Sequence, residues 1–176
     1  MRVDLPAEPR KILIVKPSAL GDIVHTLPVL TLLRRRFPTA SIHWLVVPAF
    51  ASLLTGHPLL DGVIQFDRKG YAKSLRSPTT AKGLAEFALR LRRERFDLVI
   101  DLQGLLRSAW LTWQTGAPTR VGFGYAREGA PLAYTHKVSQ PTPQRHAVER
   151  YLDVAEALGC GRGPVAFDFG IGDDVR

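Results

Sequence analysis

The run Lys11-Ile12-Leu13-Ile14-Val15 constrains the fold of this chain more than any other feature. It is short, apolar after its lysine and rich in β-branched side chains, so both its faces have to be covered, as in a central strand of a parallel sheet. Pro17, Ser18 and Gly21 then break the ladder, and Asp22 falls where a first helix begins. Two readings of Asp22 are open at this point. A carboxylate in a first helical turn accepts unpaired amides and meets the positive end of the helix dipole. A carboxylate beyond the carboxyl end of a parallel strand also faces the crevice in which open α/β sheets bind ligands.

The rest of the chain repeats the strand and helix alternation of a βαβ sheet, which makes the fold class α/β. After Asp22 one helix is expected to run to about Arg36, with Val24, Leu27, Leu30 and Leu33 on one face, and Pro38 closes it. Strands are expected over 42–47, 63–66, 97–102 and 120–123, and a possible last one over 165–169. A short helix is expected over 49–54. Longer ones are expected over 80–95, around Leu105, Ala109, Trp110 and Trp113, and over 144–158. Trp110 and Trp113 read as core or as a domain contact. Residues 67–78 read as a basic loop carrying Arg68, Lys69, Lys73 and Arg76, while 1–10 read as a flexible polar extension.

Composition narrows the function classes. Within 176 residues, 45% apolar and 23% charged side chains describe an ordinary globular domain. A net charge of +8 and a pI near 10.1 point to a polyanionic partner: nucleic acid, anionic lipid or a phosphorylated small molecule. The one cysteine, Cys160, excludes an internal disulfide and a thiolate metal cluster, which fits a reducing compartment. No apolar run reaches the roughly 18 residues of a spanning helix. Gly122-Phe123-Gly124 with Gly129 lacks GxGxxG spacing, no GxxxxGK[ST] loop exists, and His25, His43, His57, His136 and His146 form no HExxH pair. No cofactor or metal is expected.

Four blocks together resemble glycosyltransferase family 9, in particular its lipopolysaccharide heptosyltransferase I branch. They are residues 16–28, the Asp101-Leu102-Gln103-Gly104-Leu105-Leu106-Arg107-Ser108-Ala109 stretch, Ala126-Arg127-Glu128 with Pro131, and His146-Ala147-Val148-Glu149-Arg150. The resemblance covers nearly the whole chain but only the first half of the family's protein. It implies the Rossmann-like acceptor domain of a GT-B fold, here over 11–165, with 166–176 beginning an interdomain linker and the ADP-heptose-binding domain absent. On that likeness the fragment alone is expected to transfer nothing.

The resemblance further implies inverting transfer of L-glycero-D-manno-heptose from ADP-heptose to the 3-deoxy-D-manno-octulosonic acid (Kdo) of Kdo2-lipid A, in the cytoplasm at the inner face of the cytoplasmic membrane. It places the general base at Asp22. It places acceptor contacts at Arg127 and Arg150, with His146, Gln103 and Arg107 as neighbours. Arg68, Lys69 and Lys73 lie where the family binds acceptor, although the local sequence departs from its arginine cluster. Lys16 orients the carboxylate or the acceptor, or snorkels to the surface. The alternatives are transfer to a later core heptose, or a non-catalytic basic module that binds polyanions. Nucleic acid is not the expected partner.

Overall fold

The computed structural model describes residues 2–5, 7–67, 78–139, 145–162 and 167–168. The expected basic loop with Arg68, Lys69 and Lys73 lies outside them. So do residues 165, 166 and 169 of the possible last strand.

Six strands form one sheet: β1 (Lys11–Val15), β2 (Ser41–Val46), β3 (Gly62–Gln65), β4 (Leu98–Asp101), β5 (Thr119–Phe123) and β6 (His136–Val138). Their order is β3-β2-β1-β4-β5-β6 and every pairing is parallel. This is a Rossmann-like doubly wound sheet. β1 and β4 are neighbours at its centre, where the winding reverses, with Ile14 opposite both Trp44 and Ile100. The crevice outside their carboxyl ends is where such a sheet binds its ligand.

The helices are α1 (Leu20–Val24), α2 (Leu27–Arg36), α3 (Pro78–Arg93), α4 (Leu106–Gln114) and α5 (Ala147–Ala157), with short 3-10 turns at Pro48–Leu53 and Ala130–Ala133. They cover both faces of the sheet, which is why β1 has no polar side. Ile12 and Ile14 belong to the cluster that includes Leu30 and Leu33 of α2 and Leu152 and Ala155 of α5. Leu13 and Val15 belong to the opposite cluster with Phe87 and Leu91 of α3 and Leu111 of α4. Each such side chain contributes about 1.5–3 kcal/mol by leaving water.

Several expectations are corrected. The single helix from Asp22 to Arg36 is two helices, because Pro28 has no amide to continue the ladder and starts α2 instead. Thr26 closes the junction, its hydroxyl donating to the Asp22 carbonyl at 2.8 Å. Asp22 therefore rides on a separate short turn. Within the N-terminal segment, Val3 is 4% exposed in the α2 and α5 cluster, and its amide donates to the Ala157 carbonyl at 2.7 Å. Trp113 is 56% exposed and so is not core, whereas Trp110 packs on the Leu13 cluster. Among the described residues, no helix is long and apolar enough to cross a membrane.

Candidate active site

The site is built where β1, β4 and β5 end and α5 begins. β1 delivers Lys16 into the interior at 2% exposure. Its backbone is fixed on both sides: the Lys16 amide donates to the Leu45 carbonyl at 3.3 Å, and the indole of fully buried Trp44 donates to the Lys16 carbonyl at 3.2 Å. The ammonium donates to the Leu102 carbonyl at 3.0 Å and to the Tyr151 hydroxyl at 2.8 Å, and lies 3.6 Å from Asp22 Oδ2. Burial lowers the Lys16 pKa to about 8, against the opposing pull of the Asp22 and Asp101 charges. Lys16 does not snorkel. Its described contacts are with protein groups.

Asp22 stands in the first turn of α1, but Ala19 occupies the cap position. The described contacts of its carboxylate come from across the fold: Tyr151 donates to Oδ1 at 3.3 Å, a long hydrogen bond, and Lys16 faces Oδ2. The capping role read from the sequence is thus not its described bonding. The Asp22 side chain is 37% exposed, which leaves carboxylate lone pairs open to solvent.

Beside it lies a cleft of about 470 Å³ whose walls include Gln103, Gly104, Tyr125, Arg127, Arg150 and Tyr151. Its floor depends on Asp101 at the end of β4. That carboxylate is fully buried, and Oδ1 accepts the amides of Gln103 at 2.9 Å and Gly104 at 3.1 Å while Oδ2 accepts the Tyr134 hydroxyl at 2.8 Å. The bend it holds needs glycine at 104, where φ is +68° and a Cβ would meet Phe123 at 3.3 Å. Burial pushes the Asp101 carboxyl pKa up, while its hydrogen-bond donors pull it back.

The wall opposite Gln103 comes from α5. Its first turns are held by ion pairs from Arg145 to Glu149 at 2.9 Å and to Asp153 at 2.7 Å, and Arg162 bonds Asp153 as well. His146 caps the helix, with Nδ1 3.4 Å from the Val148 amide and its ring edge-on to His25 at 5.1 Å. One turn on, Arg150 lines the cleft next to Tyr125, whose hydroxyl pKa is raised by burial and pulled back by the guanidinium. Arg150 Nε and Gln103 Oε1 are buried without a hydrogen-bond partner among the described residues. A ligand entering the cleft would supply what they lack. Arg127 is exposed on the cleft wall, and exposed Arg107 lies in a neighbouring hollow with Pro17, Ser18 and Gln103.

The structure therefore brings together Asp22, Lys16, Gln103, Arg127 and Arg150, with Arg107 in the neighbouring hollow, while the described contacts of the His146 side chain are the Val148 amide and the His25 ring. Tyr151 was missed, because the sequence pattern places it on the apolar stripe of α5. Its signal was chemical: a phenol in such a stripe needs a partner for its hydroxyl.

The sequence model of glycosyltransferase family 9 (heptosyltransferase) matches residues 84–171. The chain belongs to glycosyltransferase family 9. Lipopolysaccharide heptosyltransferase 1 of Pseudomonas aeruginosa is 35% identical over 164 residues, 92% of this chain and 46% of that protein. The Escherichia coli K12 enzyme of the same name is 31% identical over 92% of this chain and 51% of its own length. Among solved structures, E. coli heptosyltransferase WaaC with ADP-2-deoxy-2-fluoro heptose superposes with a TM-score of 0.78 at 33% identity, over 90% of this chain and 51% of that one. The family 9 glycosyltransferase of Veillonella parvula gives 0.72 at 27% identity, over 86% and 42%. This family 9 chain spans about half the length of the curated relatives it matches.

Proposed function

We propose that this chain supplies the acceptor side of a GT-B heptosyltransferase in lipopolysaccharide core synthesis, with Asp22 as the general base. The observation that carries the reading is the state of Asp22. It is steadied by Lys16 and Tyr151 but open to solvent, beside a cleft walled by Arg127 and Arg150. A carboxylate so placed can take the proton of an acceptor hydroxyl. The hydroxyl oxygen then bonds to the anomeric carbon of heptose as the bond from that carbon to the diphosphate oxygen breaks. ADP leaves with the electron pair and the configuration inverts. The transition state has oxocarbenium character, as in glycoside hydrolysis.

The acceptor we infer is the Kdo of Kdo2-lipid A, whose carboxylates and phosphates suit guanidinium groups. The donor is ADP-heptose, bound by the second domain of a GT-B enzyme. The net charge of +8 favours residence at an anionic membrane surface. Asp22→Asn in an enzyme containing both domains is expected to lose turnover by about 10²–10⁴-fold while acceptor binding is kept. Rates near wild type would overturn the assignment. Transfer to a later core heptose is separated from this reading by offering Kdo2-lipid A and a heptosylated acceptor side by side.

A further inference from the structure

Tyr151 has no place in the reaction step as written, yet it touches both charges at its centre. Its hydroxyl accepts from Lys16 Nζ at 2.8 Å and donates to Asp22 Oδ1 at 3.3 Å, and its ring is buried beside Phe123, with centroids 6.2 Å apart. The three residues come from the end of β1, from α1 and from α5, so the contact exists only when all three elements are docked. We propose that Tyr151 is a positioning residue, a hydroxyl bridge that transmits the buried Lys16 charge to Oδ1 of Asp22 and holds that carboxylate in one orientation toward the acceptor. The inference rests on the reading of Asp22 as base and adds a residue to it.

The direction of the bridge follows from donor counting. An ammonium only donates and a carboxylate only accepts, so a hydroxyl between them must accept from Lys16 and donate to Asp22. Each bond polarises the next in the same sense. Burial and the Asp22 charge both raise the Tyr151 pKa, which keeps the phenol protonated and able to donate. Lys16 faces Asp22, Asp101 and Arg150, and Tyr151 faces Asp22, Arg150 and Tyr125. Arg150 is the one other cation among these neighbours. A hydroxyl is needed here because the direct contact between Lys16 and Asp22 is 3.6 Å, too long for a good hydrogen bond.

The test is carboxyl NMR of the ¹³C-labelled chain at about pH 7, following the Asp22 carboxyl resonance in wild type, Tyr151→Phe and Lys16→Met. Tyr151→Phe keeps the ring and removes only the bridge, so the Asp22 carboxyl resonance is expected to move from its wild-type position with the amide spectrum otherwise preserved. Lys16→Met should move it at least as far, and the double variant no further than Lys16→Met alone, because the bridge has nothing left to transmit. An unmoved resonance in Tyr151→Phe, or additive movements in the double variant, would overturn the proposal. If Tyr151→Phe does not fold, a single 3-fluorotyrosine at 151, a stronger donor, should move the resonance in the opposite sense, and no movement overturns the proposal equally. In the two-domain enzyme, Tyr151→Phe should lower kcat by roughly tenfold, with the acceptor KM within about twofold. Retained activity in Asp22→Asn would remove the base assignment while leaving the NMR result standing, so the two failures are distinguishable.

Discussion

Asp22 and Asp101 are two carboxylates beyond or at the ends of neighbouring central strands, and the fold treats them in opposite ways. Asp101 is fully buried and accepts two amides and a phenol, all within 3.1 Å. Asp22 is 37% exposed and, among the described residues, has one long hydrogen bond and one cation at 3.6 Å. A carboxylate with its lone pairs filled by the protein holds a loop; one left partly unfilled can accept a substrate proton. Both residues are aspartates at the carboxyl-end side of the sheet. The number of lone pairs left over separates structure from chemistry.

The comparison breaks most sharply through activity. In an enzyme containing both domains, Asp22→Asn should cost about 10²–10⁴ in kcat, yet in this chain its cost in stability should stay below that of Asp101→Ala, since the amide still offers Tyr151 an oxygen and only the counter-charge of Lys16 is lost. Steady-state turnover and urea melts, measured on the same substitution, check both halves of that statement. Asp101→Ala should do the reverse in stability. It strands the Gln103 and Gly104 amides and the Tyr134 hydroxyl without their acceptor, for a loss of about 3–5 kcal/mol in the unfolding free energy read from urea melts. A mild Asp101→Ala beside a severely unfolded Asp22→Asn would invert the assignment of roles.

A smaller effect sharpens the structural side. Gly104→Ala places a Cβ 3.3 Å from Phe123 and 3.4 Å from Ala126 at a φ of +68°. About 1–2 kcal/mol of stability should go, from backbone strain and the tight contact together. Because Gly104 lines the cleft beside Arg127 and Arg150, acceptor binding should weaken alongside, read as a rise in the acceptor KM.

Much of this was legible because it is local. β1 has the bounds its apolar run predicts, and the other central strands fall within one or two residues. The place of Asp22 after a strand-ending Pro17 and Gly21 was legible, but that place suits a helix cap and a ligand crevice alike. What was hidden depends on distant pairing. β6 has the sequence His-Lys-Val, with only Val138 buried, and is a strand because it pairs with β5 rather than because its residues favour one. The partner of Asp101, Tyr134, is 33 residues away, and that of Asp22, Tyr151, is 129 away. For the same reason the sequence leaves Lys16 open between orienting the carboxylate, orienting the acceptor and snorkelling. No local pattern announces that its donors are used across the fold.

Lys16 links the two carboxylates, since both charges pull its proton affinity upward while burial drives it to about 8 from 10.5. Below pH 8 the ammonium is charged in folded and unfolded chains alike, and the folded state bears its desolvation. Between pH 8 and 10.5 the folded chain has released a proton that the unfolded chain still holds, so stability rises with pH across that window and is level below it. The measurable quantity is the difference in unfolding free energy between wild type and Lys16→Met, in which the other titrating groups largely cancel. It should move in favour of wild type by about 1 kcal/mol between pH 7 and 8.5. A flat difference would mean that the ammonium keeps its proton throughout, held by Asp22 and Asp101 together. The contrast between the two carboxylates would then be one of hydrogen bonds alone, with both sharing the same buried charge.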